Sequence, residues 1–171
     1  MKISLRKMIP FLAIFCLAMP LWAQSSNRGT AEVTINGKKI SINYGRPSLK
    51  GRDLLTWAKV GDVWRLGMNQ ATEITSTGDL VVGGKELKAG KYSLWAKKTG
   101  PDSWELDFHP KTGMWGMPAM KEGFVAETPL KSGNVSAEVE QLVISLAEVK
   151  NQAQITIQWG KVELVGSFDV K

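Results

Sequence analysis

The sequence is poor in the residues that carry most recognisable chemistry. Its 171 residues include one cysteine, Cys16, and one histidine, His109. No His-x-x-x-His or Glu-x-x-His spacing is present, so the paired ligands of a zinc or di-iron site are missing. No Gly-x-Ser-x-Gly elbow presents a nucleophile. Gly83-Gly84 and the Lys50-Gly51-Arg52 turn lack the spacing of a phosphate loop, and both read as turns. Beyond the first 23 residues no apolar run approaches the ~20 residues of a membrane-crossing helix. No metal, no cofactor and no catalytic residue is therefore expected.

The N-terminus is where the long apolar run does occur. Lys2, Arg6 and Lys7 precede an uncharged stretch over residues 9–21, and Leu21-Trp22-Ala23 ends in a small residue. This order is that of a secretory signal peptide over residues 1–23, cut near Ala23. Thirteen residues are too few to span a bilayer as a helix. Cys16 follows Ile14-Phe15, not the small residues of a lipoprotein signal, so no lipid anchor is expected. Cleavage removes three basic residues, taking the formal charge from +6 to +3, and removes the sole cysteine. The exported chain then has no thiol or disulfide chemistry, although its compartment, periplasmic or extracellular, permits disulfides. A charge of +3 is too small and too dispersed for a nucleic-acid partner. The remaining 148 residues suffice for one domain without staples.

What is present is strand pattern. After a polar leader (residues 24–30), Ala31, Val33 and Ile35 alternate with polar residues, as do Ile40, Ile42 and Tyr44, around Asn36-Gly37. That is a hairpin signal, because Asn and Gly accept the positive φ of a tight turn. Leu54, Leu55, Trp57 and Ala58 suggest one short helical segment near residues 53–59. Short strand signals then recur at 63–66, 73–77, 80–82, 91–97, 104–108, 124–128, 140–149, 154–159 and 166–170. Many short strands separated by turns predict an all-β domain over residues 31–171, an antiparallel β-sandwich with a barrel as the alternative.

Four blocks carry a family resemblance. They are Tyr44-Gly45-Arg46-Pro47 with Lys50-Gly51-Arg52; Val63-Trp64-Arg65-Leu66-Gly67 with Asn69; Val82-Gly83-Gly84-Lys85 with Ala89-Gly90-Lys91-Tyr92-Ser93-Leu94; and Trp104-Glu105-Leu106-Asp107-Phe108. In order and spacing they resemble the uncharacterised bacterial domain of unknown function 2911, common among exported proteins. Gln70 stands where that family usually has Glu, and His109 where Asn is common. The resemblance implies a fold and a compartment but no reaction.

The candidate site lies in the basic-polar segment. Tyr44, Arg46, Lys50, Arg52, Arg65 and Asn69 fall within 26 positions, and guanidiniums on one rim can hold a carboxylate or phosphate bidentately. The competing use of these arginines is to tie their loop to backbone carbonyls or to Asp53, Asp62 and Glu73. His109, before Pro110, reads more plainly as a strand-end histidine than as a catalytic base with Asp107 or Asp102. Trp64 and Trp104 read as core. Trp115, in Gly113-Met114-Trp115-Gly116-Met117-Pro118, is a candidate cover for a pocket. The expectation is a non-catalytic ligand-binding or envelope-associated domain, with Tyr44, Arg46, Arg52, Arg65, Asn69, His109 and Trp115 as ligand-binding candidates. Its partner is an unknown small molecule or envelope component. The alternatives are a hydrolase of envelope or carbohydrate material using His109 and a carboxylate, and a structural partner-binding protein.

Overall fold

Alternation of apolar and polar residues is realised in ten strands. A computed structural model describes residues 27–52 and 58–171. In chain order the strands are β1 (Arg28–Ile35), β2 (Lys38–Gly45), β3 (Val63–Trp64), β4 (Thr72–Ser76), β5 (Leu80–Val82), β6 (Lys85–Leu87), β7 (Gly90–Lys98), β8 (Ser103–His109), β9 (Ala126–Val149) and β10 (Gln152–Val170). All neighbouring pairs are antiparallel. The expected β1–β2 hairpin is present: Asn36 and Gly37 have φ of 52° and 75°, and Ile35 pairs with Lys38. That pair of left-handed residues matches the right-handed twist of the strands it joins. β1 begins at Arg28, inside the segment read as leader. The proposed signal peptide lies outside the described residues.

The strands do not form the two separate sheets of the expected sandwich. They make one sheet in the order β1-β2-β4-β7-β8-β9-β10-β5-β6, with β3 pairing to β7 beyond the end of β4. The physical reason is the length of the last two strands. β9 pairs with β8 through residues 126–131 and with β10 through residues 131–149. β10 carries register shifts around Gly160, whose φ is 62°. Such bulges let a long strand bend without breaking the ladder. The sheet curls until β1 lies against β9, and the chain after β2 meets β9 at the Ser48–Gln141 bridge. It does not close as a barrel. Among the described residues there is no helix, and none long and apolar enough to cross a membrane. Of the helical segment expected near residues 53–59, 53–57 lie outside the described residues, while Ala58 and Lys59 are not helical.

Curling gives one core to which all ten strands contribute. Ile40, Ile42, Ile74, Leu94, Leu106 and Phe108 are fully buried in it, and Phe108 meets Phe168 edge-on at 5.9 Å. Burying each such side chain contributes roughly 1.5–3 kcal/mol. The other face of the sheet has a covered patch of its own. Residues 110–125 leave β8 at His109 and are fastened to β4 where Gly113 N–H donates to the Glu73 carboxylate at 2.6 Å. The register Glu73–Ser93–His109 means that this crossing passes over β7. Ser93 and Trp95, on that face, are fully buried, and the Trp95 indole N–H donates to Ser93 Oγ at 3.0 Å.

Candidate functional site

Two loops and the bend of β10 build a cleft. The first loop follows β2. Arg46 N–H donates to Asn27 O, and the chain then runs beside β9, with Leu49 N–H donating to Glu140 O at 2.6 Å and Leu142 N–H to Pro47 O at 3.1 Å. Lys50 and Gly51, both left-handed at φ of 51° and 70°, turn it back. The second loop follows β3 and contains Leu66 and Asn69, also left-handed. Thr72 Oγ1 holds it by donating to Leu66 O at 2.7 Å. The loops approach so closely that a Cβ at Gly45 would stand 2.2 Å from Met68 O. The fit is mutual, since a Cβ at Gly67 would stand 2.9 Å from Gly45 O.

Between them lies a cleft of about 380 Å³, bordered by Arg52, Arg65 and Asn69 and by the apolar surfaces of Trp64, Met68 and Trp159. Trp64 and Trp159 stack at 5.8 Å, only 13° from parallel. The Arg52 guanidinium lies over Trp159, 5.0 Å from the ring centroid. Arg52 Nε–H donates to Leu49 O at 3.0 Å and Nη2–H to Ser48 O at 2.6 Å, so its plane is fixed by its own loop. Arg65 Nε–H donates to Gly67 O at 3.1 Å. Its stem is gripped by Gly116, where a Cβ would fall 2.5 Å from Arg65 Cδ. Residues 113–118 stay beside this cleft because Gly116 N–H donates to Asn69 O at 2.8 Å and Ala71 N–H to Met114 O at 3.0 Å. Met117 borders the cleft, while Trp115 points its exposed surface outward, each 57% exposed.

The charge balance of the cleft is one-sided. No aspartate or glutamate borders it among the described residues. The ion pairs among the described residues all use lysines, and none involves an arginine. Asp62 instead accepts from Lys59 N–H, and Glu73 is taken by Lys91 and Gly113. Asp53 lies outside the described residues. The arginines thus anchor their loops through carbonyls, and no described acid compensates their positive charge. Trp159 Nε1–H is buried with no acceptor among the described residues.

The candidates divide accordingly. Arg52, Arg65 and Asn69 come together. Tyr44 and Arg46 do not join them. Tyr44 continues the alternation of Ile40 and Ile42 into the core and is 4% exposed, and Arg46 Nε reaches Leu142 O at 3.4 Å. Lys50 donates its backbone N–H to the Glu140 carboxylate. His109 lies on the other side of the sheet from the core, covered by residues 110–125, with Phe124 edge-on at 5.7 Å. Sequence reasoning missed Trp159, Met68 and Met117 as walls. Met117 sat in a loop already singled out, but nothing local ties Trp159 to Arg52.

The histidine region has the residue types of a nucleophilic site without its connections. Ser93 pairs across from His109, and Asp107 is two residues before it on the same face. Yet His109 Nδ1 accepts from Lys111 N–H at 3.0 Å, which puts the proton of the neutral ring on Nε2. A Cβ at Gly123 would be 2.8 Å from that Nε2. Nδ1 is thus already engaged, and among the described residues the ring has no carboxylate partner. Asp107, 2% exposed, keeps Oδ2 unpartnered, and burial first, then Glu105, pushes its carboxyl up to about 7. Among the described residues no group of three or more His, Cys, Asp or Glu is placed to hold a metal ion.

Comparison with protein families matches residues 26–168 to a model described as "Protein of unknown function (DUF2911)", and the chain belongs to that family. Comparison with curated proteins and with solved structures finds no match.

Proposed function

We propose that this member of the DUF2911 family is an exported, non-catalytic binding domain whose cleft between the Arg52 and Arg65 loops takes a small anionic ligand. The observation that carries the reading is Arg65. Among the described residues only its Nε–H is used, so both terminal nitrogens remain for a ligand, at a cleft bordered by no described acid. Arg52 adds a second guanidinium that is already immobilised. Donors whose geometry is set before binding lose little entropy on meeting an acceptor. The hydrolase alternative finds less support, because His109 is locked in the unreactive tautomer away from the cleft.

Export rests on the residues of the N-terminus, and the ligand would be met in the periplasm or outside the cell. Intact-mass measurement on protein recovered from the exporting cell is expected to give a chain starting close to Gln24; a chain retaining Met1 or Lys2 contradicts it.

Binding is tested by thermal shift against a panel of small carboxylates, phosphate and sulfate. A ligand at one hundred times its Kd raises stability by about 2.7 kcal/mol. Arg65→Gln is expected to fold and to lose that stabilisation. Undiminished stabilisation of the Arg65→Gln protein by the same anions would overturn the reading.

A further inference from the structure

We infer that the ligand of this cleft is an amphipathic carboxylate: one planar carboxylate head on an apolar or aromatic body. This rests on the anion-binding reading above and narrows it to a ligand class. The head follows from the donors. Arg65 spends its Nε–H on Gly67 O, so the edge it offers is the pair Nη1 and Nη2. Two parallel N–H groups on one planar edge match the two oxygens of a carboxylate. Arg52 has two of its five N–H groups bound to Leu49 O and Ser48 O, so it adds charge and three further N–H groups on a guanidinium held by its own loop. Trp159, stacked on Trp64, adds its ring to the same wall.

The body follows from the walls. Pro47, Val63, Trp64, Met68, Met117 and Trp159 border the cleft, and the only non-arginine polar side chain among the described lining residues is Asn69. A sugar would leave most of its hydroxyls facing these surfaces without partners, and each one buried unpaired weakens binding. A phosphate dianion would have to shed more water than two partly engaged guanidiniums replace. An apolar body meets neither penalty and gains affinity with the apolar area it removes from water. The volume of about 380 Å³ sits at the small end of the range for small-molecule sites, so a single ring system or short chain is the right size. Met117, a flexible thioether at 57% exposure beside the rim, is suited to fold over such a body.

The test uses the mature protein and four probes: 2-naphthoate, decanoate, the neutral 2-naphthamide and inorganic phosphate. Affinities are read by calorimetry and by tryptophan fluorescence. At least one of 2-naphthoate and decanoate is expected to bind at least tenfold more tightly than phosphate. Where 2-naphthoate binds, it is expected to be at least tenfold tighter than 2-naphthamide, an advantage that Arg65→Gln abolishes. Met117→Ser is expected to weaken these carboxylates several-fold and to leave any phosphate binding unchanged. Phosphate binding as tightly as both carboxylates, with the Arg65 dependence intact, would overturn the amphipathic ligand and leave the anion-binding site standing. No binding of any charged probe to a protein that remains folded by circular dichroism would overturn both.

Discussion

Arg52 lies over the indole of Trp159, 107 positions later in the chain, with its guanidinium carbon 5.0 Å from the ring centroid. One end of this contact is fixed by carbonyls of the first loop and the other by the stack of Trp159 on Trp64. The loop after β2 is thereby pinned to the bend of β10. Because the contact depends on a planar cation, lysine does not replace it. Arg52→Lys and Arg52→Ala are both expected to lower stability by about 0.5–1 kcal/mol, the usual worth of an exposed cation–π pair. Urea denaturation measures this; an unchanged midpoint for Arg52→Ala would show that the stack does not hold the loop.

Gly45 tests the seam between the two loops. A Cβ there would meet the Met68 carbonyl at 2.2 Å, and backbone cannot swing aside as a side-chain tip can. Gly45→Ala is expected to cost about 1–3 kcal/mol, the range for forced overpacking, and to weaken ligand binding as well. Gly133→Ala, likewise in a strand without a left-handed φ and with nothing nearer its Cβ than the Glu163 carboxylate at 3.9 Å, is the control. Equal losses in the two variants would mean that loop contact contributes nothing.

Asp107 gives the fold a pH dependence whose direction is fixed. Its carboxyl titrates near 7 in the folded chain, against about 3.9 for an unperturbed aspartate, so the folded state holds the proton more tightly. Stability is then greatest below about pH 4 for this group and is lost as pH rises toward 7. Asp107→Asn keeps the shape without the charge and is expected to flatten that decline between pH 4 and 8. Denaturation midpoints across this interval decide it, and an equally steep decline in the variant contradicts the assignment.

Gln70 accepts from Arg28 Nη1 at 3.3 Å beside the cleft. A glutamate at this position would turn that contact into an ion pair. Gln70→Glu is expected to stabilise the protein by about 0.2–1 kcal/mol at low salt, with the gain fading as salt rises. It also places an acid near Asn69, so it is expected to weaken anion binding. A salt-independent change in melting temperature would show that the Arg28 contact is not the cause.

Much of the fold was legible where local chemistry dictates it. Asn36-Gly37 announces the β1–β2 hairpin, and Tyr92, Leu94 and Ala96 share the core face of β7. The single sheet was not legible. Lys131, Ser132, Gly133 and Asn134 fall between the short strands expected at 124–128 and 140–149 and carry no strand signal. They are in fact the middle of β9, exposed on both sides of the pleat and held by pairing to β10. The same happened at Gly160, where a bulge inside β10 reads locally as an end.

The candidate site shows the same division. Arg52, Arg65 and Asn69 were recognisable as polar residues in Gly/Pro loops, and such residues commonly face a surface. Tyr44 was misplaced although its own strand held the answer, since it shares parity with Ile40 and Ile42. Trp159 was out of reach for a different reason. Only the curl of the sheet brings β10 beside the loop after β2, and no local pattern encodes that meeting.

The central claim is that the Arg65–Trp159 cleft receives a carboxylate, and side-chain NMR reads it at the residues concerned. On titration with 2-naphthoate, the Arg65 Nε–H and Trp159 indole N–H signals are expected to shift together and saturably, while that of Trp95, buried on the opposite face, stays in place. Shifts confined to other residues, or none at saturating ligand in a folded protein, would contradict the account.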